Sequence, residues 1–263
     1  KGIQSTPTDS LESEFQIDIK NLLLEDFSLM YEDQISGQDL IAKVQSLESK
    51  ISVSEDHFFI DLIGDLILDI DQNKEHTFFS DKAVHLNLEL DFNQTSQLLE
   101  ITPSFLDLEQ SRFGLSGTID FDDDFQCDLK LEGQKPNFDL FAAFAPKEVG
   151  DALKAYQNEG DIYFLGSVKG KAANGNTPAI SVEFGCENAW FLNPDVNKRV
   201  DDMKFTGYFT NGADRSLETS EIQLKNFYFK PEKGDFEGTF LIRNFNDPFV
   251  NVDVHANLDL EFL

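Results

Sequence analysis

Apolar and polar residues alternate strictly from Val84 to Phe92, and this period of two governs most of the chain. Val84, Leu86, Leu88, Leu90 and Phe92 fall on one side, and His85, Asn87, Glu89 and Asp91 on the other. Because successive side chains of a strand point to opposite faces, the pattern predicts a strand with one buried and one wet face. The same alternation occupies Phe125, Cys127, Leu129 and Leu131, then Ile162, Phe164, Gly166 and Val168, then Ile180, Val182 and Phe184. It returns in 205–209 and 222–224, and in Val250, Val252, Val254, Ala256, Leu258 and Leu260. Strands with one wet face belong to antiparallel sheets, since parallel sheets are covered on both faces and read as continuous apolar runs. The expected fold is therefore mainly β: a long curved antiparallel sheet forming a groove, with one or two short helices around 138–158.

Helical spacing is scarce. The best case follows Pro146, which suits a first helical turn, with Val149, Ala152, Leu153 and Tyr156 along one stripe and Gly160 as the stop. Phe138 to Phe144 forms a separate apolar turn before the proline. Turn chemistry marks Asp122 to Asp124, Asn174 to Asn176, Asn211-Gly212 and Lys233-Gly234.

Charge and length narrow the function classes. Lys and Arg total 21 against 49 Asp and Glu, a formal charge of −28 with a pI near 4.2. Binding to phosphate backbones or to anionic lipid surfaces relies on clustered Lys and Arg, so nucleic acid is excluded as a partner and an anionic surface is disfavoured. No run reaches the roughly 20 apolar residues of a membrane-spanning helix, and no signal segment opens the chain. At 263 residues the chain allows one elongated domain or fused repeats. It opens in a polar leader, 1–14, and stops inside an apolar alternation at Phe262 and Leu263, the expectation for a piece of a longer protein.

An internal repeat organises the remainder. Gly117-Thr118 opens a strand, an acidic turn follows, and an alternating run leads to Phe138-Asp139-Leu140. Gly238-Thr239 opens a second strand, followed by Asn246-Asp247-Pro248, an alternating run and Leu258-Asp259-Leu260. Gly117 and Gly238 lie 121 residues apart, and Phe138 and Leu258 lie 120 apart. The reading is a single domain over 15–263 built of repeats at about 15–116 and 117–237, with a further one starting at 238–263. Alternating strands also resemble one another by chance, which leaves the repeat open.

Motifs for chemistry are absent or incomplete. Gly166 to Lys171 has three residues between its glycines where a phosphate-binding loop needs four, and it reads as a strand. Gly114 to Gly117 lacks the spacing of a nucleophile elbow. Asp120, Asp122, Asp123 and Asp124 lack the glycine and closing glutamate of a calcium loop and read as a solvated hairpin turn. His57, His76, His85 and His255 are isolated, with His85 and His255 on polar faces. Trp190-Phe191, beside Asn188 and Asn193, allows stacking on a sugar ring, although a core aromatic at a strand end is the simpler reading. Cys127 and Cys186 stand in phase with apolar neighbours, which favours buried thiols, while a disulfide between them depends on a Cα separation that sequence does not supply.

One physical problem remains. A sheet with one wet face must cover the other, and a single convincing helix is too little for a second layer. Either the sheet folds on itself as a sandwich or barrel, or its apolar face stays partly open. An open face rich in Leu, Val and Phe, of which the chain has 26, suits acyl chains, because each buried methylene contributes about 0.8 kcal/mol. The candidate contacts are Leu86, Leu88, Leu90, Leu129, Leu131, Phe164, Val168, Val182 and Phe184.

Several stretches together resemble the AsmA-like family of the Bacteroidota type. Ile19 to Asp33 is similar to its strand-turn-strand opening ending in Tyr-x-Asp, and Phe113 to Ile119 to its apolar-x-Gly strand starts. Phe138 to Pro146, a helix, and Gly160 to Gly170 resemble its helix followed by a glycine-bounded strand, and Gly238 to Leu260 resembles a next copy. The resemblance implies a periplasmic repeating β-groove of the bridge-like lipid-transfer kind, anchored to the inner membrane through a segment outside this chain. It implies a phospholipid or other acyl-chain lipid as ligand, a part in phospholipid transport or outer-membrane assembly, and envelope proteins as possible partners. It supplies no catalytic residues, metal or cofactor, so no enzyme is expected. The alternatives are a structural or assembly module of the envelope with a self-packed sheet, and a carbohydrate-binding β-sandwich.

Overall fold

A computed structural model of the chain describes residues 21–34, 37–72, 74–76, 80–135, 137–145 and 147–257. The polar leader 1–14 and the strand positions Leu258 and Leu260 lie outside the described residues. In chain order the strands are β1 (Leu22–Asp33), β2 (Gln38–Ser54), β3 (His57–Gln72), β4 (Glu75–His76), β5 (Lys82–Asn93), β6 (Leu98–Leu108), β7 (Ser111–Asp120) and β8 (Gln126–Lys135). Two short helices follow, α1 (Asp139–Ala142) and α2 (Lys147–Lys154). The chain then continues through β9 (Gln157–Gly170), β10 (Ala179–Asn193), β11 (Lys198–Thr210), β12 (Glu221–Pro231), β13 (Asp235–Arg243) and β14 (Phe249–Asn257).

Among the described residues, all strands belong to one antiparallel sheet. Each pairs with the next in sequence, except that the two-residue β4 pairs only with β3, which leaves a path of thirteen strands from β1 to β14. Both end strands have a single neighbour, so the sheet is not closed into a barrel. The period of two read from the sequence thus becomes a long meander with an apolar inner face and a polar outer face. The turn residues Asp122 to Asp124, Asn174 to Asn176, Asn211-Gly212 and Lys233-Gly234 all fall between strands or helices.

The inner face is held continuous by bulges. On β10, Ile180, Val182, Phe184 and Cys186 face inward, but beyond a register shift Ala189 and Phe191 take over. Asn188 sits at that shift with φ 52°, and Asp202 on β11 and Asn226 on β12 occupy the same left-handed region beside their own shifts. Asn and Asp tolerate this conformation better than other side chains, and each bulge bends its strand and increases its twist. On β6 the break falls at Thr102-Pro103, where a proline would otherwise cost a ladder bond. There Thr102 Oγ1 donates to Glu89 O at 3.0 Å, and Ser104 Oγ accepts from Glu89 N at 2.8 Å.

The core sits where the helices cover the sheet. Leu140, fully buried on α1, packs with Phe138 and Ala143 against Phe113, Ile162, Phe164, Cys186 and Ala189. Phe144 stacks on Phe164 at 4.6 Å between ring centroids, and both rings meet Phe113 edge-on. Gly133 makes room for this cluster, since a Cβ there would lie 2.7 Å from Leu140 and Phe113. Lys82, at an inner position in line with Val84, is buried and donates from Nζ to Ala145 O at 2.7 Å, tying the link after α1 to β5. Asn158 Oδ1 accepts from Phe138 N at 2.8 Å at the other end of the same segment.

Three expectations are corrected. The helix after Pro146 ends at Lys154, not at Gly160; Gly160 already belongs to β9, where an added Cβ would lie 2.5 Å from Ala189 Cβ. The opening segment makes no turn between two strands: from Leu22 onward it is the single strand β1, with Asp26 at φ 53° as an internal irregularity. Trp190 is no core aromatic, because the bulge at Asn188 gives the inner positions to Ala189 and Phe191 and leaves Trp190 half-buried under the guanidinium of Arg199, 4.2 Å from its ring centroid.

An apolar trough beside the helical cap

Beside the cap, the inner face of the sheet forms a trough with a volume of about 720 Å³. Three ladder rows build its floor. Phe164 on β9 faces Phe184 on β10; one rung further, Leu131, Gly166, Val182, Phe209 and Ile222 line up across five strands. The third row joins Leu129, Val168 and Ile180. Phe141, Phe144 and Ala145 of the cap wall one end, and Phe245 stands at the loop end. Gly166 keeps the middle of the floor low, since a Cβ there would enter the space 3.1 Å from the Phe164 ring and 3.5 Å from Leu131 Cβ.

Six of the nine residues named from the sequence line this trough: Leu129, Leu131, Phe164, Val168, Val182 and Phe184. The other three share the inner face but lie toward the β1 end of the sheet. Leu86 packs against the core cluster, and Leu88 and Leu90 are half-buried opposite Leu62 and Ile60 of β3. The sequence reading left out Leu106, Leu115, Phe141, Phe144, Ile180 and Phe209, all of which also line it. Most of these stood in recognised apolar runs; what was missing was the register that brings distant strands to one row.

Polar groups are turned away from the space. Lys130 and Ser167 border it, but both are outer-face positions, and Ser167 Oγ meets Ser181 Oγ at 2.9 Å across that face. Such a cavity offers mainly dispersion contacts and exclusion of water. Both cysteines are free thiols at buried inner positions, separated by strand β9; burial pushes the Cys186 thiol up to about 12, which favours its protonated form. Burial likewise lowers the pKa of Lys82, whose ammonium serves the cap.

Charged groups cluster at strand ends and on the outer face. His57 Nδ1 lies 2.7 Å from Asp91 Oδ1, a hydrogen bond that raises the imidazole pKa, and Asn93 Nδ2 is 3.0 Å from its other ring nitrogen. His85 pairs with Asp65 at 2.8 Å and His255 lies 3.6 Å from Asp253, while the side chain of His76 lies outside the description. In the turn after β7, Asp124 accepts from Asn174 and Lys171, and these two bonds hold its carboxyl below the usual range. Among the described residues, no three His, Cys, Asp or Glu side chains are grouped to hold a metal ion, and no helix is long and apolar enough to cross a membrane. The glycines of 166–170 lie within β9 and not in a phosphate-binding loop.

Comparisons of the chain with protein-family models, with curated proteins and with solved structures found no match.

Proposed function

We propose that this chain is a lipid-binding groove segment, holding acyl chains of a phospholipid or related lipid in the trough. The observation that carries the reading is a space of about 720 Å³ floored by aliphatic and aromatic side chains and left uncovered by a second sheet. At about 0.8 kcal/mol per methylene, ten buried methylenes contribute roughly 8 kcal/mol before the cost of immobilising the ligand. Retention therefore needs no specific polar contact. A carrier of the AsmA-like kind, working in the periplasm in lipid transport or outer-membrane assembly and without catalytic chemistry, is the setting that suits such a groove. The carbohydrate reading is weaker, because Arg199 already occupies one face of Trp190, the single tryptophan of the chain.

Native mass spectrometry of protein purified gently from a membrane-containing lysate tests this. The expected result is a lipid adduct on the wild-type chain that is lost in Leu131→Glu, whose carboxylate would stand on the trough floor. Apo mass alone for the wild type contradicts the reading.

A further inference from the structure

We infer that Arg215 is the headgroup anchor of this trough, so that the preferred ligand is an amphiphile whose apolar chain ends in an oxyanion, a carboxylate or a phosphate. The inference rests on the trough being a hydrocarbon site. It adds which end of the ligand is held, and by what.

Position comes first. Gly170 follows Val168 as the next inner residue of β9 and pairs with Cys127, one rung beyond the Leu129–Val168 row. A Cβ on Gly170 would lie 3.3 Å from Nη1 and 3.6 Å from Nη2 of Arg215. The guanidinium therefore lies over Gly170, one rung beyond the rows that line the trough, and the absence of a side chain at Gly170 lets it do so. The opposite end is walled by Phe141 and Phe144, which leaves the Arg215 end as the polar one.

Pairing comes second. In a chain with 49 carboxylates, Arg112, Arg199 and Arg243 each form an ion pair, whereas Arg215 has none among the described residues. Among those residues its one side-chain hydrogen bond runs from Nη1 to Thr177 O at 2.9 Å, leaving most of its five N–H donors free. The nearby Lys171 is neutralised by Asp123 and Asp124, so it does not compete for an anion.

The loop that carries Arg215 is braced. Its backbone has φ 54°, a left-handed conformation costly for a long side chain. Thr219 Oγ1 donates to Asn211 O at 2.8 Å, Ser216 N to Asn211 O at 3.1 Å, and Phe245 N to Leu217 O at 2.7 Å. The last bond joins this loop to Phe245, which lines the trough. A guanidinium held at the end of an apolar channel presents a planar fork that matches two oxygens of a carboxylate or phosphate, and such charge-assisted bonds are about twice as strong as neutral ones. The acidic outer surface disfavours binding to an anionic membrane as a whole; a single anionic head on a chain lying in the trough would be within reach of Arg215.

The test is displacement of a neutral polarity-sensitive dye from the trough by a long-chain fatty acid, the alkyl phosphate and the alcohol of the same chain length, with inorganic phosphate as the chainless arm. The wild type is expected to bind the acid and the alkyl phosphate roughly tenfold more tightly than the alcohol, and inorganic phosphate far more weakly. Arg215→Gln is expected to bind all three amphiphiles like the alcohol, with Arg215→Lys retaining part of the preference and both variants keeping the wild-type melting temperature. Equal binding of acid and alcohol by the wild type, or a preference that survives Arg215→Gln, overturns the anchor while leaving the trough reading intact. Inorganic phosphate binding as tightly as the alkyl phosphate also overturns it, because the chain would then add nothing. If no amphiphile displaces the dye, both the anchor and the hydrocarbon reading fall.

Discussion

Phe113 shows how much rests on single side chains in a one-sheet protein. It is fully buried, meets Phe144 and Phe164 edge-on, and fills the space that Gly133 opens beneath Leu140. Few other residues are enclosed from both sides, so the cap and the sheet are joined largely through this ring and its neighbours. Phe113→Ala is expected to cost about 3 to 5 kcal/mol, the usual range for a buried phenylalanine that leaves a cavity. Chemical denaturation followed by circular dichroism checks it, and a loss below about 1 kcal/mol would show that the site collapses around the smaller side chain. The same scale explains why Lys82 is tolerated on an apolar face. Its ammonium is desolvated, but it donates to Ala145 O in the link that follows α1, which gives the charge a hydrogen-bond partner.

At the scale of elements, the two outermost strands differ from the interior ones. β14 exposes all nine of its residues, with Phe249 at 58%, Val250 at 51%, Val252 at 55% and Val254 at 51%. It contains no proline, lysine or bulge, the devices that normally blunt a free edge. This chain is therefore expected to associate as its concentration rises, and Val252→Lys is expected to suppress that without altering β content. Sedimentation analysis of both forms decides it; equal association in the variant would place the contact elsewhere. Strand identity and the open antiparallel class were legible in the sequence because only an extended backbone turns successive side chains to opposite faces. The change of phase beyond each bulge was not, because Asn188, Asp202 and Asn226 look the same in sequence whether they face water or turn a bulge. At Thr102-Pro103, which the sequence reading passed over, the proline inside a central strand accounts for the bulge. The end of α2 was misplaced for a related reason: a glycine stops helices, but Gly160 serves the close approach of two strands at Ala189.

For the whole molecule, the decisive property is the difference between the two ends of the inner face of this sheet. Around the cap, Phe138, Leu140 and Ala143 seal it into a core; beyond Phe164 and Phe184 it stays open as the trough. The sequence pointed to six of the lining residues but not to Phe141 or Phe144, whose direction depends on how the cap folds back. A photo-crosslinking side chain placed at Leu129, on the floor of the trough, measures the consequence directly. In cells, the lipid-trough account predicts crosslinked lipid from position 129 and none from Leu165, which is 46% exposed on the outer face of β9. Labelling confined to protein, or equal lipid labelling at both positions, would contradict it.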